Sequence, residues 1–260
     1  MVFSIIMSVY NDESFVSEAI ESILNQSYKD FEFIIIDDFS NDKTKDIIKL
    51  YEKKDPRIKA KFNKKNIGLT PNLNYAVSIA KGSWIVRQDS DDVSLKDRLK
   101  DAYCIIQKHQ FDFYSTPAKA IFKTKNKVIP GYFTRTFFNE NFLKFKNPLI
   151  HGTLIIKKNI LINLKYDESY TYSQDFKLYH DLLNNGFKLF YNKNSITYLL
   201  RIHKNQLSNL KNNEQLDFFN KTLIFYGFKK QNLNVLNRFK NKIKELTIIL
   251  NDFIRRSLSS

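Results

Sequence analysis

The chain has 260 residues, enough to bury a sizeable core as one large domain or two fused domains. Hydrophobic residues make up 43% of it and aromatic residues 15%, a composition that excludes an intrinsically disordered protein. With 42 Lys and Arg against 27 Asp and Glu, the formal net charge is +15. This charge favours anionic partners: nucleic acid, an acidic membrane surface or phosphorylated small molecules.

The cysteine content and the absence of long apolar runs bear on location. A single cysteine, Cys104, excludes an intramolecular disulfide framework and favours a reducing cytoplasm. We expect it to be a small, buried, apolar residue. No apolar stretch has the length of a membrane span, and the first residues lack the layout of a signal peptide. The sequence therefore predicts a cytoplasmic protein.

The first 92 residues alternate between predicted strands and helices. Apolar runs at residues 3–9 and 31–36 predict two buried strands, the second followed by Asp37-Asp38. Between them, Asn11 or Asp12 is predicted to cap a helix. The apolar positions of that helix, at helical spacing, are Phe15, Val16, Ile20, Ile23 and Leu24.

Further elements follow in the same alternating order. The pattern predicts a helix over residues 42–51, a strand near residues 58–62 and a strand at residues 83–86. Pro71 is predicted to open the intervening helix in its first turn, and that helix is expected to run to about Ala80, before Lys81-Gly82. Strands and helices in this order predict an α/β fold with a doubly wound, mostly parallel sheet.

Polar and acidic clusters come directly after three of these strands, at residues 8–10, 37–38 and 89–92. Ligands of doubly wound sheets bind outside the carboxyl ends of the strands, so we expect the three clusters to meet at one site. The run Asp89-Ser90-Asp91-Asp92 holds three carboxylates in four positions, which require a cation or full solvation. Carboxylate oxygens suit Mg²⁺ or Mn²⁺ carrying a phosphate-bearing substrate.

The remainder of the chain is less regular. Turn signals stand at residues 130–131, 147–148 and 184–186, with a helix predicted over 178–183 and a strand over 187–191. Residues 211–260 predict a basic helical tail that packs on the domain, lies in a membrane interface or mediates oligomerisation. Its apolar stripe consists of Leu236, Phe239, Ile243, Leu246, Leu250 and Phe253.

Six short motifs, in this order and spacing, resemble the family 2 glycosyltransferases of the GT-A fold. They occupy residues 4–11, 22–27, 33–40, 66–69, 80–85 and 89–92, the last in the place of the family's metal-binding D-x-D. The resemblance reaches about residue 208. It implies a nucleotide-sugar-binding half over residues 1–92 and an acceptor-binding half of the same domain over residues 93–210, followed by the tail.

The resemblance also implies a nucleotide site. Asp38 would accept a uracil N–H while Asp37 orients the turn, and Asp89 would lie near the ribose. Arg87 would help to neutralise the departing diphosphate. The full set implied for the nucleotide is Ser8, Tyr10, Asp37, Asp38, Asn66, Arg87 and Asp89.

A divalent metal site is implied beside the nucleotide. Asp91 would bind Mn²⁺ or Mg²⁺ bridging the two phosphates, with Asp92 as a further ligand or its neighbour. His203 would reach the metal from an R-x-H motif, although Leu200 stands where relatives have Tyr. The metal would neutralise charge that develops on the leaving nucleoside diphosphate.

The acceptor side carries the implied catalytic base. Asp175 would take the proton from the acceptor hydroxyl, and His151 and Gln174 would face the same side. Gln174 departs from the family, which usually has Glu there. The alternative is that Asp175 is a helix N-cap.

The resulting hypothesis is an inverting, metal-dependent glycosyltransferase that moves a hexose or N-acetylhexosamine from a nucleotide sugar, with UDP as the expected nucleotide. A glycan or lipid-linked acceptor in bacterial surface polysaccharide, lipooligosaccharide or capsule synthesis is implied. The basic tail predicts peripheral contact with the anionic inner face of the cytoplasmic membrane. The alternative is a catalytically inactive GT-A scaffold, for which Gln174 is the main argument. Nucleic acid is not an expected partner, because no recognised motif accompanies the charge.

Overall fold

The computed structural model describes residues 1–121, 126–144, 146–203 and 212–228. The strands are β1 (Phe3–Val9), β2 (Phe31–Asp37), β3 (Ile58–Phe62), β4 (Trp84–Arg87), β5 (Val93–Ser94), β6 (Phe113–Ser115), β7 (Ala118–Ile121), β8 (Asn126–Ile129), β9 (Ile155–Lys157), β10 (Leu189–Tyr191) and β11 (Tyr198–Arg201). The α-helices are α1 (Val16–Leu24), α2 (Thr44–Lys54), α3 (Leu69–Ile79), α4 (Arg98–Lys108), α5 (Tyr132–Thr136), α6 (Lys158–Leu164), α7 (Gln174–Asn184) and α8 (Asn212–Phe225). Short 3₁₀ turns lie at Glu140–Lys144 and His151–Thr153.

Seven strands form the central sheet, in the order β10-β6-β9-β4-β1-β2-β3. All of them are parallel except β9, which runs antiparallel to both β4 and β6. The predicted doubly wound, mostly parallel sheet is confirmed. A second, four-stranded sheet, β5-β11-β7-β8, joins the chain after β4 to the strand that ends at Arg201.

Helices cover both faces of the central sheet, and β1 is apolar on both of its sides. Phe3, Ile5 and Met7 point to one face, where they pack with buried residues of α1, α2 and α4. Ile6 points to the other face and packs with α3, α6 and α7. Burial on both faces accounts for the nearly continuous apolar sequence of this strand.

The glycine between α3 and β4 is required by a close approach of two backbones. A Cβ on Gly82 would lie 2.6 Å from the carbonyl carbon of Phe3 and 2.6 Å from the backbone nitrogen of Ser4. The Gly82 N–H donates to Ser4 Oγ at 2.7 Å, and that hydroxyl donates to the buried Glu32 carboxylate at 2.6 Å. These contacts set how β4 enters the sheet beside β1.

Two local predictions are wrong. Neither Asn11 nor Asp12 caps the first helix with its side chain: α1 begins at Val16, and Phe15 is the N-cap residue. The backbone carbonyl of Asp12 accepts the N–H groups of Phe15 and Val16 instead, so a backbone turn precedes the helix. Cys104 is exposed on α4 rather than buried, because the apolar side of that helix is occupied by Leu99 and Ala102.

The first part of the predicted tail is a helix that packs on α7. The rings of Phe219 in α8 and Phe176 in α7 stack with centroids 4.1 Å apart. Ser173 Oγ donates to the backbone carbonyl of Gln215 at 2.9 Å. The apolar stripe at residues 236–253 lies outside the described residues. Within the described part of the chain, no helix combines the length and apolarity that crossing a bilayer requires.

Candidate active site

A cavity of about 1230 Å³ opens at the carboxyl ends of the central strands. It brings together nearly all of the residues that the sequence assigned to a site, from both halves of the chain. They are Ser8, Tyr10, Asp38, Asn66, Arg87, Asp89, Asp91, Asp92, His151, Gln174, Asp175 and His203. Parallel strands end at the same edge of a sheet, which accounts for the convergence of the first eight.

Asp37 does not line this cavity. It is the last residue of β2, its side chain is buried, and Oδ2 accepts the backbone N–H of Ser40 at 3.3 Å. Its position suits the orientation of the turn after β2 rather than contact with a nucleotide.

Asp38 organises the loop that carries Asn66. Oδ1 accepts from Asn63 Nδ2 at 2.8 Å and from the Ile67 N–H at 2.9 Å, while Oδ2 accepts the Gly68 N–H at 2.8 Å. A carboxylate has about four acceptor positions, so these three bonds leave room for about one further donor. The side chain thus shapes the pocket and retains the capacity for a single contact with a ligand.

Arg87 forms a buried ion pair with the first residue of the acidic run. Its guanidinium is 2% exposed, and Nη2 lies 2.5 Å from Asp89 Oδ1. Burial raises the pKa of the Asp89 carboxyl, and the positive charge of Arg87 opposes that rise. Arg87 also donates to the backbone carbonyl of Gln88. Its guanidinium is therefore held at residues 88 and 89, where the acidic run begins.

The end of β11 holds the rest of the acidic run. His203 Nε2 lies 3.0 Å from Asp91 Oδ2, and the His203 ring packs against Phe15 with centroids 5.1 Å apart. The Arg201 N–H donates to Asp92 Oδ1 at 2.7 Å, and Arg201 Nε donates to the Asp91 backbone carbonyl at 2.8 Å. Burial raises the pKa of Asp92 well above its usual range, and the charges of Asp91 and Asp89 add to the rise.

The fit of a divalent metal rests on Asp91 and His203. Among the described residues, no group of three or more His, Cys, Asp or Glu side chains is arranged to hold a metal ion. The adjoining Asp91 carboxylate and His203 imidazole nevertheless offer one oxygen and one nitrogen ligand. Mg²⁺ is commonly bound by one or two carboxylates, with substrate phosphates and water completing its coordination. The donor set therefore fits a metal that binds together with a diphosphate.

Asp175 lies in the first turn of α7 and faces the cavity. The N-cap residue is Ser173, so the alternative interpretation of Asp175 as the N-cap is wrong. Asn147 Nδ2 donates to Asp175 Oδ2 at 2.7 Å. Burial raises the pKa of the Asp175 carboxyl, and hydrogen bonds from the Phe176 backbone and from Asn147 oppose part of that rise. A raised pKa makes the carboxylate a stronger proton acceptor, as a general base requires.

His151 forms a neutral part of the wall. Its Nε2 lies 2.9 Å from the Tyr166 hydroxyl, in edge-to-face contact with that ring. Burial lowers the pKa of His151 well below its usual range, and the charge of Arg87 lowers it further. At neutral pH the side chain is an uncharged hydrogen-bonding group.

The sequence pattern gives no indication of Arg98, a buried residue that links the backbone before the acidic run to the chain at Gly152. Its Nη2 donates to the backbone carbonyls of Arg87 at 2.9 Å and Gly152 at 2.7 Å, and its Nη1 donates to Ser94 Oγ at 2.8 Å. Its guanidinium carbon lies 4.8 Å from the centroid of the Tyr198 ring. Burial lowers the pKa of Arg98 to about 10. A single Arg in a helix with charged neighbours carries no sequence signal of such burial.

Helix α8 also contributes to the cavity, through Gln215, Leu216 and Phe219. The sequence pattern predicts this segment as the start of a basic helical tail, whereas the structure brings it to the cavity. The contact arises because α8 packs on α7, which carries Gln174 and Asp175.

Comparison with known sequences agrees with this architecture. The sequence model of a family described as Glycosyl transferase family 2 matches residues 4–171. The chain belongs to glycosyltransferase family 2. The matched range ends before Asp175, His203 and α8, so these parts of the cavity lining lie beyond it.

Relatives within the family cover most of this chain. It is 34% identical over 219 residues to the uncharacterized glycosyltransferase MJ1057 of Methanocaldococcus jannaschii, covering 78% of this chain and 75% of that protein. It is also 34% identical over 188 residues to the O-antigen biosynthesis glycosyltransferase WbnJ of Escherichia coli, covering 70% and 72%.

Among solved structures, the chain is similar to residues 1–349 of S. aureus TarS in complex with UDP-GlcNAc. The TM-score is 0.69 at 21% identity, and the match covers 85% of this chain and 66% of that one. The chain spans 39% of a longer TarS structure. This likeness confirms the GT-A fold that the motifs predicted.

Proposed function

We propose that this protein transfers a sugar from a UDP-linked donor, with UDP-GlcNAc as the first candidate, to a hydroxyl group of a cell-surface glycan. The observation that carries the proposal is one cavity lined by both the Asp91–His203 pair and the Asp175 carboxylate. The UDP-GlcNAc complex of TarS and the O-antigen role in the name of WbnJ support the donor and the acceptor class.

The donor side would hold the nucleotide and the diphosphate. Asp38 has about one acceptor position left for a base N–H, and Ser8 and Asn66 line the same part of the cavity. Asp91 and His203 would hold Mn²⁺ or Mg²⁺ against the diphosphate. That metal would act as a Lewis acid that stabilises the charge of the departing UDP.

The acceptor side would move the proton. Asp175 takes the proton of the acceptor hydroxyl as that oxygen bonds to the anomeric carbon, and the bond from that carbon to the diphosphate breaks. UDP departs with the bonding electrons. Attack opposite the leaving group inverts the anomeric centre, which gives a β-linked product from an α-linked donor. Burial raises the pKa of Asp175, which supports its role as the base. A neighbouring Glu, usual in the family at the position of Gln174, would raise that pKa through its charge, and here burial raises it without that charge.

Calorimetric binding of UDP, with and without Mn²⁺, tests the donor site. We expect metal-dependent binding to the wild type, loss of that binding in Asp91→Ala and retention in Asp175→Asn. Asp46→Ala is the control, since that carboxylate is 81% exposed on α2, outside the cavity. Unchanged metal-dependent binding in Asp91→Ala would refute the metal assignment.

Turnover of UDP-GlcNAc, followed by release of UDP, tests the base. Loss of general base catalysis typically costs about 10²–10⁴ in rate, so Asp175→Asn should lose at least about 100-fold while still binding UDP. Equal rates in this variant and the wild type would remove Asp175 from the mechanism. A wild type that binds UDP but turns over no UDP-sugar would favour the inactive scaffold.

A further inference from the structure

Lys146 lies in the wall of the cavity beside the candidate base. Its neighbour in the chain, Asn147, also lines the cavity and donates to Asp175. The Lys146 ammonium donates to Thr134 Oγ1 at 2.7 Å and lies 5.5 Å from the centroid of the Phe142 ring. Since Thr134 is itself buried, this position is built into the protein rather than being a chance surface contact.

The described surroundings of this ammonium are neutral. Burial lowers the pKa of Lys146, and within residues 1–121, 126–144, 146–203 and 212–228 no carboxylate forms an ion pair with it. A hydroxyl group and an aromatic face only partly replace the water that a cation loses. A partly desolvated cation without a counterion favours the binding of an anion.

Of the charged residues discussed for this cavity, Lys146 is the one best placed to bind an anionic group. The guanidinium of Arg87 is engaged by Asp89. The carboxylates Asp38 and Asp91 line the donor side, where a phosphate without a metal would be repelled. Among the described lining residues Lys146 is the one lysine, and it stands next to the residue that holds Asp175.

We propose that Lys146 binds an anionic group of the acceptor, a phosphate or a carboxylate, that lies close to the reactive hydroxyl. The substrate class is thus an anionic glycan rather than a neutral one. The inference rests on the proposed function, because it takes Asp175 as the group that activates this hydroxyl. Asn147 and Lys146 then act as neighbours, one holding the base and the other holding the charge of the substrate.

The test uses full-length protein saturated with UDP and Mn²⁺, so that the donor site is filled. Glycerol 1-phosphate is the probe and glycerol its neutral counterpart, titrated by calorimetry at matched ionic strength. Lys146→Met removes the charge, and Lys146→Arg keeps it. Lys158→Met is the matched control, a half-buried lysine outside the cavity whose ammonium also bonds a neutral group, the Ala80 carbonyl.

We expect glycerol 1-phosphate to bind the wild type and glycerol not to bind. A charge-assisted hydrogen bond predicts a loss of about tenfold or more in Lys146→Met, with affinity largely kept in Lys146→Arg and Lys158→Met. UDP affinity should be the same in all four proteins. Absence of probe binding to the wild type, or unchanged binding to Lys146→Met, would overturn the proposal.

A lower affinity of Lys146→Met for UDP would also overturn it, by assigning the lysine to the donor diphosphate. The proposed function fails separately, since it requires wild-type UDP binding that depends on metal and on Asp91. Failure of the probe with intact UDP binding would therefore count against Lys146 alone.

Discussion

Gly152→Ala offers a quantitative test of how the acidic run is supported. A Cβ on Gly152 would lie far inside van der Waals contact with the hydroxyl oxygen and Cζ of Tyr198. Tyr198 is fully buried, and its hydroxyl accepts the backbone N–H of Asp89 at 3.1 Å. The methyl group must therefore displace either the ring or the turn at Gly152.

The expected cost follows from these two contacts. Overpacking of a well-packed core costs about 1–3 kcal/mol, and loss of the bond from the Asp89 N–H costs about 1 kcal/mol more. We expect the free energy of unfolding to fall by about 2–4 kcal/mol. UDP affinity should fall as well, because Asp89 loses its support at the edge of the donor site.

Urea unfolding followed by circular dichroism measures the effect. Gly131→Ala is the matched control: a Cβ there would meet no atom within 4 Å, so its effect should stay within about 0.5 kcal/mol. A Gly152→Ala protein as stable as that control would show that Tyr198 does not pack on Gly152. The explanation of how Asp89 is held would then be wrong.

Two further variants test groups that the sequence did not reveal. Asn147→Ala removes a hydrogen bond that lowers the pKa of Asp175, so that pKa should rise and the acidic limb of kcat/KM for UDP-sugar turnover should move to higher pH; a limb at unchanged pH would contradict this role. Arg98→Lys replaces a buried fork with a single ammonium and leaves backbone acceptors unpaired, so urea unfolding should show a loss of about 2–5 kcal/mol. The control is Arg57→Lys, at a partly exposed ion pair with Asp55, which should lower the free energy of unfolding by about 1 kcal/mol or less. Equal losses in Arg98→Lys and Arg57→Lys would refute the structural role given to Arg98.

Local patterns were sufficient for most elements of residues 1–92. The predicted strands at residues 3–9 and 58–62 match β1 and β3 residue for residue, and Pro71 lies in the first turn of α3. Strands buried on both faces carry long apolar runs, and parallel strands bring their carboxyl ends to one edge. These two regularities predict that residues 8–10, 37–38 and 89–92 meet at one site, and all of them except Asp37 line the cavity.

The helix cap before α1 and the burial of Cys104 were predicted wrongly. Asn11 and Asp12 both read as helix caps, yet the Asp12 carbonyl makes the turn before α1. The residue type of Cys104 predicts burial, whereas its exposure depends on which side of α4 packs against the rest of the protein. Both errors have the same physical origin, since a residue type states a preference and the packing of its element decides the outcome.

The sequence by itself determined the fold class, the family and the strand-end carboxylates, because those depend on local periodicity and on the order of short motifs. The tertiary structure alone decided that Asp37 lies outside the cavity, while three hydrogen bonds from its own loop leave Asp38 about one acceptor position for a ligand. It also decided that Arg98 donates to the backbone carbonyl of Gly152, that Asn147 donates to Asp175, and that Lys146 lines the cavity. The partners Asn147 and Asp175 are 28 positions apart, and Arg98 and Gly152 are 54 positions apart. No short stretch of sequence contains both partners of such a bond, so the folded chain is needed to reveal them.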